Sequence, residues 1–160
     1  MPDPVTGEGL TMGALYWQLN DIWQGASWAS MEFGGKWKMS HYYAEKFFKP
    51  ILISPIIEGE DVNVYGVCDH KEHNMMLDIK IYHWDSFSPT YTTSLSLGPG
   101  CVRPGSVILY STPLADLLSA GSCHPGSYDG ERLGYCLITF TLVSETNTLL
   151  SENYLMDTPR

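Results

Sequence analysis

The sequence predicts a mixed architecture in two parts: a single β/α unit over residues 1–49, then an all-β, immunoglobulin-like sandwich over residues 50–160. Three observations predict it. Apolar side chains recur with a helical period in Trp37–Phe48, the period changes to two after Pro50, and about seven short alternating runs follow, joined by Gly/Pro/Asp turns.

The elements follow in order. Met1–Leu10 carries Pro2, Pro4, Gly7 and Gly9 and reads as a loop or frayed end. Thr11–Leu19 (TMGALYWQL) is apolar without alternation, as in a parallel strand buried on both faces. Asn20–Gly35 mixes Gly, Ser and aromatics and reads as a long structured loop ended by Gly34-Gly35. In Trp37–Phe48, Trp37, His41, Ala44 and Phe48 share one helical face, with Tyr43 and Phe47 beside them. Lys38, Glu45 and Lys46 face outward, and Pro50 stops the helix. One such unit cannot bury its own strand.

Beyond Pro50, strands are expected at Ile51–Ile57, Val62–Val67, Met75–Ile81, Thr90–Leu97, Ser106–Tyr110, Tyr135–Val143 and Leu149–Leu155. Pro55 marks the first of them as an edge or a bulge, because proline donates no ladder hydrogen bond. Only Pro113–Ser119 reads as a short turn of helix.

Composition removes several function classes. Nine basic residues against eighteen acidic ones give a formal charge of -9. Binding to nucleic acid or to an anionic membrane needs clustered Lys and Arg, and Lys36 and Lys38 are the densest run available. No apolar stretch approaches the ~20 residues of a membrane-spanning helix. Met1-Pro2-Asp3-Pro4 lacks the basic and then apolar pattern of a secretory signal, so no targeting signal is read in the chain.

The four cysteines, Cys68, Cys101, Cys123 and Cys136, allow three complete pairings, which sequence does not decide. Cys123 and Cys136 flank a Gly/Pro/Ser/Asp loop, as a disulfide closing that loop would; two buried thiols are the other reading. Cys68, His70 and His73 have a spacing that can ligate zinc, but a fourth ligand is not evident and the surrounding charges describe an exposed turn. Neither a metal nor a cofactor is expected.

The informative segment is Gly13–Trp28, GALYWQLNDIWQGASW, with Trp17, Trp23 and Trp28 spaced among Gln18, Asn20 and Asp21. Indole faces stack on the C–H face of a pyranose, and amide and carboxylate groups bind its hydroxyls. Trp17, Asn20, Asp21 and Trp28 are therefore the candidate sugar-binding residues, Trp17 being placed toward the end of the expected strand, where a barrel carries its site. Core packing is the plainer reading of Trp23 or Trp28 taken singly, whereas Trp17, beside Asn20-Asp21, is read as a binding residue. A hydrogen-bonded structural role is the plainer reading of Asp21, and solvated loop carboxylate that of Glu32.

Residues Gly7–Pro55, GEGLTMGALYWQLNDIWQGASWASMEFGGKWKMSHYYAEKFFKPILISP, closely resemble β-mannosidases of glycoside hydrolase family 2, the animal lysosomal type in particular. YWQLND-W at Tyr16–Trp23, SWAS at Ser27–Ser30 and GGKWK at Gly34–Lys38 together carry the resemblance, and Ile51 to about Leu155 resembles more loosely the immunoglobulin-like domain that follows the barrel there. The chain would then be a C-terminal fragment: Thr11–Leu19 the eighth strand and Trp37–Phe48 the eighth helix of a (β/α)8 barrel, and residues 50–160 the next domain. Trp17 would wall the subsite for the non-reducing mannose of a β-mannoside oligosaccharide, with Asn20 and Asp21 near its rim. The resemblance further implies a lysosomal exoglycosidase that uses two glutamates with retention. Both fall before residue 1, so no catalytic residue is expected in this chain, and alone it should be inactive. Self-association through the exposed barrel remnant is expected instead. The alternative function is a non-catalytic carbohydrate-binding or adhesion module built on the sandwich.

Overall fold

The computed structural model describes residues 13–72, 74–98, 100–101, 104–123 and 136–156. They divide into two compact units, Met1–Phe48 and Lys49–Arg160.

In the first unit, Gly13–Leu19 forms no strand, and the rest of the expected strand, Thr11 and Met12, lies outside the described residues. This corrects the expectation of a strand buried on both faces. A central strand needs a ladder of neighbours for its N–H and C=O groups, and among the described residues this segment joins no sheet. The segment instead doubles back on itself. Ser30 and Met31 N–H groups donate to the carbonyls of Gln18 (3.0 Å) and Leu19 (2.9 Å), and Asp21 N–H donates to Met31 (2.9 Å). Isolated bridges join Asn20 to Met31 and Met31 to Trp37. The Trp17–Gln18 peptide bond is cis.

Helix α1 spans Met39–Phe47, inside the expected Trp37–Phe48. Trp37 is excluded because its backbone is engaged with Met31, and Lys38 precedes the helix in an extended conformation. Of the face expected to be apolar and inward, Ala44 alone is buried, and Phe47 and Phe48 remain about half exposed.

The second unit is built from β1 (Ile51–Glu58), β2 (Asp61–Cys68), β3 (Met76–His83), β4 (Tyr91–Ser96), β5 (Gly105–Pro113), α2 (Leu114–Ala120), β6 (Cys136–Val143) and β7 (Leu149–Met156). Two antiparallel sheets form, ordered β1-β2-β5 and β4-β3-β6-β7. This is a β-sandwich, made by period-two sequences that aim alternate side chains at one core. Ile51, Ile53, Val62 and Val64 come from the first sheet; Leu77, Ile79, Ile81, Ile138, Phe140 and Leu142 come from the second, and Leu117 of α2 joins them.

Pro55 lies in β1, an edge strand of its sheet, where a missing N–H costs no ladder bond. In β5 the register shifts opposite Val64/Tyr65, so that Leu109 is extra. Its side chain occupies the space over Gly66, where a Cβ would lie 2.6 Å from it. Two disulfides, Cys68–Cys101 and Cys123–Cys136, cross-link this unit. No helix among the described residues is long and apolar enough to cross a membrane, a statement that does not extend to membrane-spanning strands.

Candidate functional site

The Trp-rich loop is held from beneath by polar side chains. Ser30, fully buried, donates from Oγ to the Leu19 carbonyl (3.0 Å) and shares a hydrogen bond with the Tyr16 hydroxyl (3.1 Å). The Tyr16 ring in turn meets Phe47 edge-on and lies beside Phe48, with centroids 6.3 and 6.1 Å away. The chain on either side of Trp17 is thereby fixed to its own loop and to α1, while the indole itself is 73% exposed. Trp28 is 77% exposed and Trp23 62%. Large aromatic groups exposed to this extent on a hydrogen-bonded scaffold are available for stacking.

Asp21 is the electrostatic centre of the loop. Its Oδ2 accepts from Lys38 Nζ at 2.7 Å and its Oδ1 accepts from the Ser27 hydroxyl. Ser27 Oγ accepts from the Ala29 N–H (3.0 Å), and Lys38 Nζ also approaches the Ser27 carbonyl at 3.4 Å. The Lys38 hydrogen bond, followed by that of Ser27, holds the Asp21 carboxyl below its usual range. Both carboxylate oxygens are thus engaged inside the protein. Asn20, beside it, is exposed and donates from Nδ2 to the Asp21 carbonyl (3.2 Å).

The structure therefore joins Asp21 to Ser27 and Lys38, neither of which was among the four candidate residues. The helical pattern placed Lys38 on an outward face; it lies before the helix and turns back to the loop. The signal that pointed to it was GGKWK, two lysines just past a Gly-Gly turn in a chain poor in cations. Both glycines adopt left-handed φ, 103° for Gly34 and 92° for Gly35, so that the chain can reverse there. Glu32 anchors the same turn, its N–H donating to the Lys36 carbonyl and its own carbonyl accepting from Gly35, both at 2.9 Å.

A pocket opens between these pieces. Its walls include Asp21, Gln24, Ser27, Glu32, Phe33 and Lys38. Phe33 is about half exposed and supplies an aromatic face, while the others supply carboxylate, amide, hydroxyl and ammonium groups.

One group of possible metal-ligating side chains lies elsewhere among the described residues. Ligand atoms of His83, Cys123 and Cys136 lie within 4.8 Å of one another, but the two sulfurs are bonded to each other, which leaves one imidazole. Cys68, the cysteine of the C-x-H-x2-H spacing, is likewise bonded to Cys101; His73 lies outside the described residues.

No protein-family model matches the chain. It is similar to the β-mannosidase of Mus musculus, 52% identical over 154 residues, and to that of Capra hircus, 42% identical over 152. Each match covers 94% of this chain and 16% of the relative, so the chain spans about one sixth of their length. A β-mannosidase A of Aspergillus oryzae is 54% identical over 60 residues, which is 36% of this chain. Among solved structures, the exo-chitosanase CsxA of Amycolatopsis orientalis superposes with a TM-score of 0.56 over 88% of this chain and 15% of that one. At 19% identity that match shows a shared fold.

Proposed function

We propose that these 160 residues are the C-terminal portion of a β-mannosidase of glycoside hydrolase family 2, contributing an aromatic wall to its mannose site and the sandwich that follows. The observation that carries this reading is the combination of exposed Trp17 and Trp28 on a hydrogen-bonded loop with 52% identity to a β-mannosidase along nearly the whole chain. Trp17 stacks on the non-reducing mannose and Asn20 binds its hydroxyls. Asp21 acts through the loop, since both its oxygens are engaged.

The reaction proposed for the whole protein is hydrolysis of terminal β-D-mannosides with retention, in the lysosome. It needs two carboxyl groups about 5 Å apart, one as acid/base and one as nucleophile. Asp21 is unsuited to either role, because an acid held below its usual range and paired with an ammonium neither donates a proton at neutral pH nor is free to attack. Protein outside these 160 residues supplies the pair.

A chromogenic β-mannoside tests this. The chain alone should give no turnover, and the longer protein containing it should turn over. There, Trp17→Ala should lower kcat/KM by at least about tenfold, equivalent to ~1.4 kcal/mol of transition-state binding. Turnover by the isolated chain that survives both Asp21→Ala and Glu32→Ala would overturn the reading.

A further inference from the structure

We infer that His83, Cys123 and Cys136 form a binding site for Zn2+ once the Cys123–Cys136 disulfide is reduced. The site belongs to the second unit alone and stands or falls independently of the mannoside reading.

A ring nitrogen of His83 and the two sulfurs lie within 4.8 Å of one another, brought there by separate elements. His83 ends β3 and Cys136 opens β6, where the two residues are direct ladder partners. Cys123 follows α2, its N–H donating to the Leu118 carbonyl at 2.8 Å. The imidazole is oriented as well, since its Nε2 lies 3.0 Å from the Gly121 carbonyl. A carbonyl only accepts, so Nε2 carries a hydrogen and Nδ1 is the nitrogen that ligates. Metal-bound histidines are held in this way, by a hydrogen bond from the nitrogen that does not meet the cation. Thr90 Oγ1 donates to the same carbonyl at 3.0 Å and so fixes the acceptor in turn. Donors already placed by the fold lose little freedom when a cation arrives.

Opening the disulfide takes two electrons, which an external dithiol supplies. One of its thiolates attacks a cysteine sulfur and releases the other cysteine, which takes up a proton; its second thiol then displaces the first cysteine. The reductant leaves as a disulfide, and Cys123 and Cys136 become thiols. Zn2+ takes both sulfurs as thiolates and releases their two protons to solvent. Charge favours the bound form: Cys123 and Cys136 are only 5% and 1% exposed, and two thiolates with a dication sum to zero. Around a tetrahedral zinc such donor atoms sit about 3.5–3.8 Å apart. With the two Cα atoms 6.0 Å apart, rotation of the short side chains spans the change from a bonded pair of sulfurs. His83 is half-buried, so the fourth position opens to water. Thiolate and imidazole donors select zinc over the hard cations Ca2+ and Mg2+.

The test is a Co2+ titration of the intact chain, reduced with a phosphine under argon, followed by displacement with Zn2+. About one equivalent should bind, with the visible bands of a tetrahedral site and a thiolate charge-transfer band in the near ultraviolet, and Zn2+ should abolish both. His83→Gln, which keeps an amide to donate to Gly121, should weaken binding at least about tenfold and change the visible bands. In the parent chain, which needs no substitution, Zn2+ should shield Cys123 and Cys136 from alkylation by iodoacetamide while Cys68 and Cys101 stay reactive. The unreduced chain should bind neither ion. The site is refuted by a reduced chain without tetrahedral bands, by equal binding with the disulfide intact, or by unchanged affinity in His83→Gln. Shielding of Cys68 and Cys101 instead would refute it as well. So would a reduced, zinc-free chain that loses its β-sheet circular dichroism, since β3, β6 and α2 would then not hold the donors in place. None of these results bears on turnover of a β-mannoside by the longer protein.

Discussion

Asp21 is a short side chain with two obligations, one oxygen to Lys38 and one to Ser27, and it ties three points of the Trp-rich segment together. Folding favours its ionised form, since its carboxyl is held below the ordinary value of 3.8 mainly by the Lys38 hydrogen bond. The stability this adds is therefore complete above that ordinary value and disappears as pH falls through the lower folded one. We expect acid-induced loosening of the loop, read as a change in tryptophan fluorescence as pH falls below about 4. Asp21→Asn should already be loosened at neutral pH and should lose the part of the acid transition that belongs to this group. An identical pH profile in the variant would show that the ion pair does not hold the loop. Glu58 is a second carboxyl depressed by its neighbours, here Asn63 and then Tyr65, and it raises the Tyr65 hydroxyl in return, but both are surface groups on β1 and β2.

At the scale of elements, the β1 edge shows how side chains close a gap that ladders leave open. β1 pairs only with β2 in its sheet, so its other edge would present bare N–H and C=O groups. Ser151 and Asn153 of β7, in the opposite sheet, cover that edge. Ser151 Oγ accepts from the buried Ile53 N–H (3.1 Å), and Asn153 Nδ2 donates to the Ile53 carbonyl (3.0 Å). Ser151 is itself buried, so water cannot take its place. Ser151→Ala should cost about 1–3 kcal/mol, the penalty for a buried donor left without an acceptor, and should lower the denaturation midpoint without changing the m-value. A midpoint within error of the parent would mean that the edge is satisfied in another way.

For the molecule as a whole, the two units differ in self-sufficiency. Residues 49–160 bury a continuous core from both sheets and α2, and carry both disulfides. In the chain-entropy account, loops closed by separations of 13 and 33 residues are each stabilised by about 3–4 kcal/mol. The first unit keeps Leu15, Trp17, Ile22, Trp23, Trp28 and Met39 more than half exposed. Apolar surface on that scale favours association. We expect the chain alone to bind ANS and to form oligomers on size-exclusion chromatography, and residues 49–160 alone to be monomeric, ANS-silent and cooperatively unfolding. A monodisperse, ANS-silent intact chain would refute this.

Periodicity by itself determined most of the second unit. Alternation placed all seven strands within a few residues of where they form, and Pro55 marked an edge or a bulge because its missing N–H is a local, covalent property; the sheet order makes it an edge. In β3 and β6 burial alternates along the strand, as a period-two pattern with one buried face requires. The aromatic loop was also legible, as composition: tryptophans interleaved with amide and carboxylate groups. Tertiary structure alone decided what non-local partners decide. Thr11–Leu19 has strand composition, yet its described part is not a strand, because ladder bonds require neighbours that composition cannot provide. The pairing of Cys68 with Cys101, the engagement of Asp21 by Lys38 and Ser27, and the cover that Ser151 gives to Ile53 each join residues distant in sequence. Such pairings leave no periodic trace in the chain, because they are set by where the backbone has already folded.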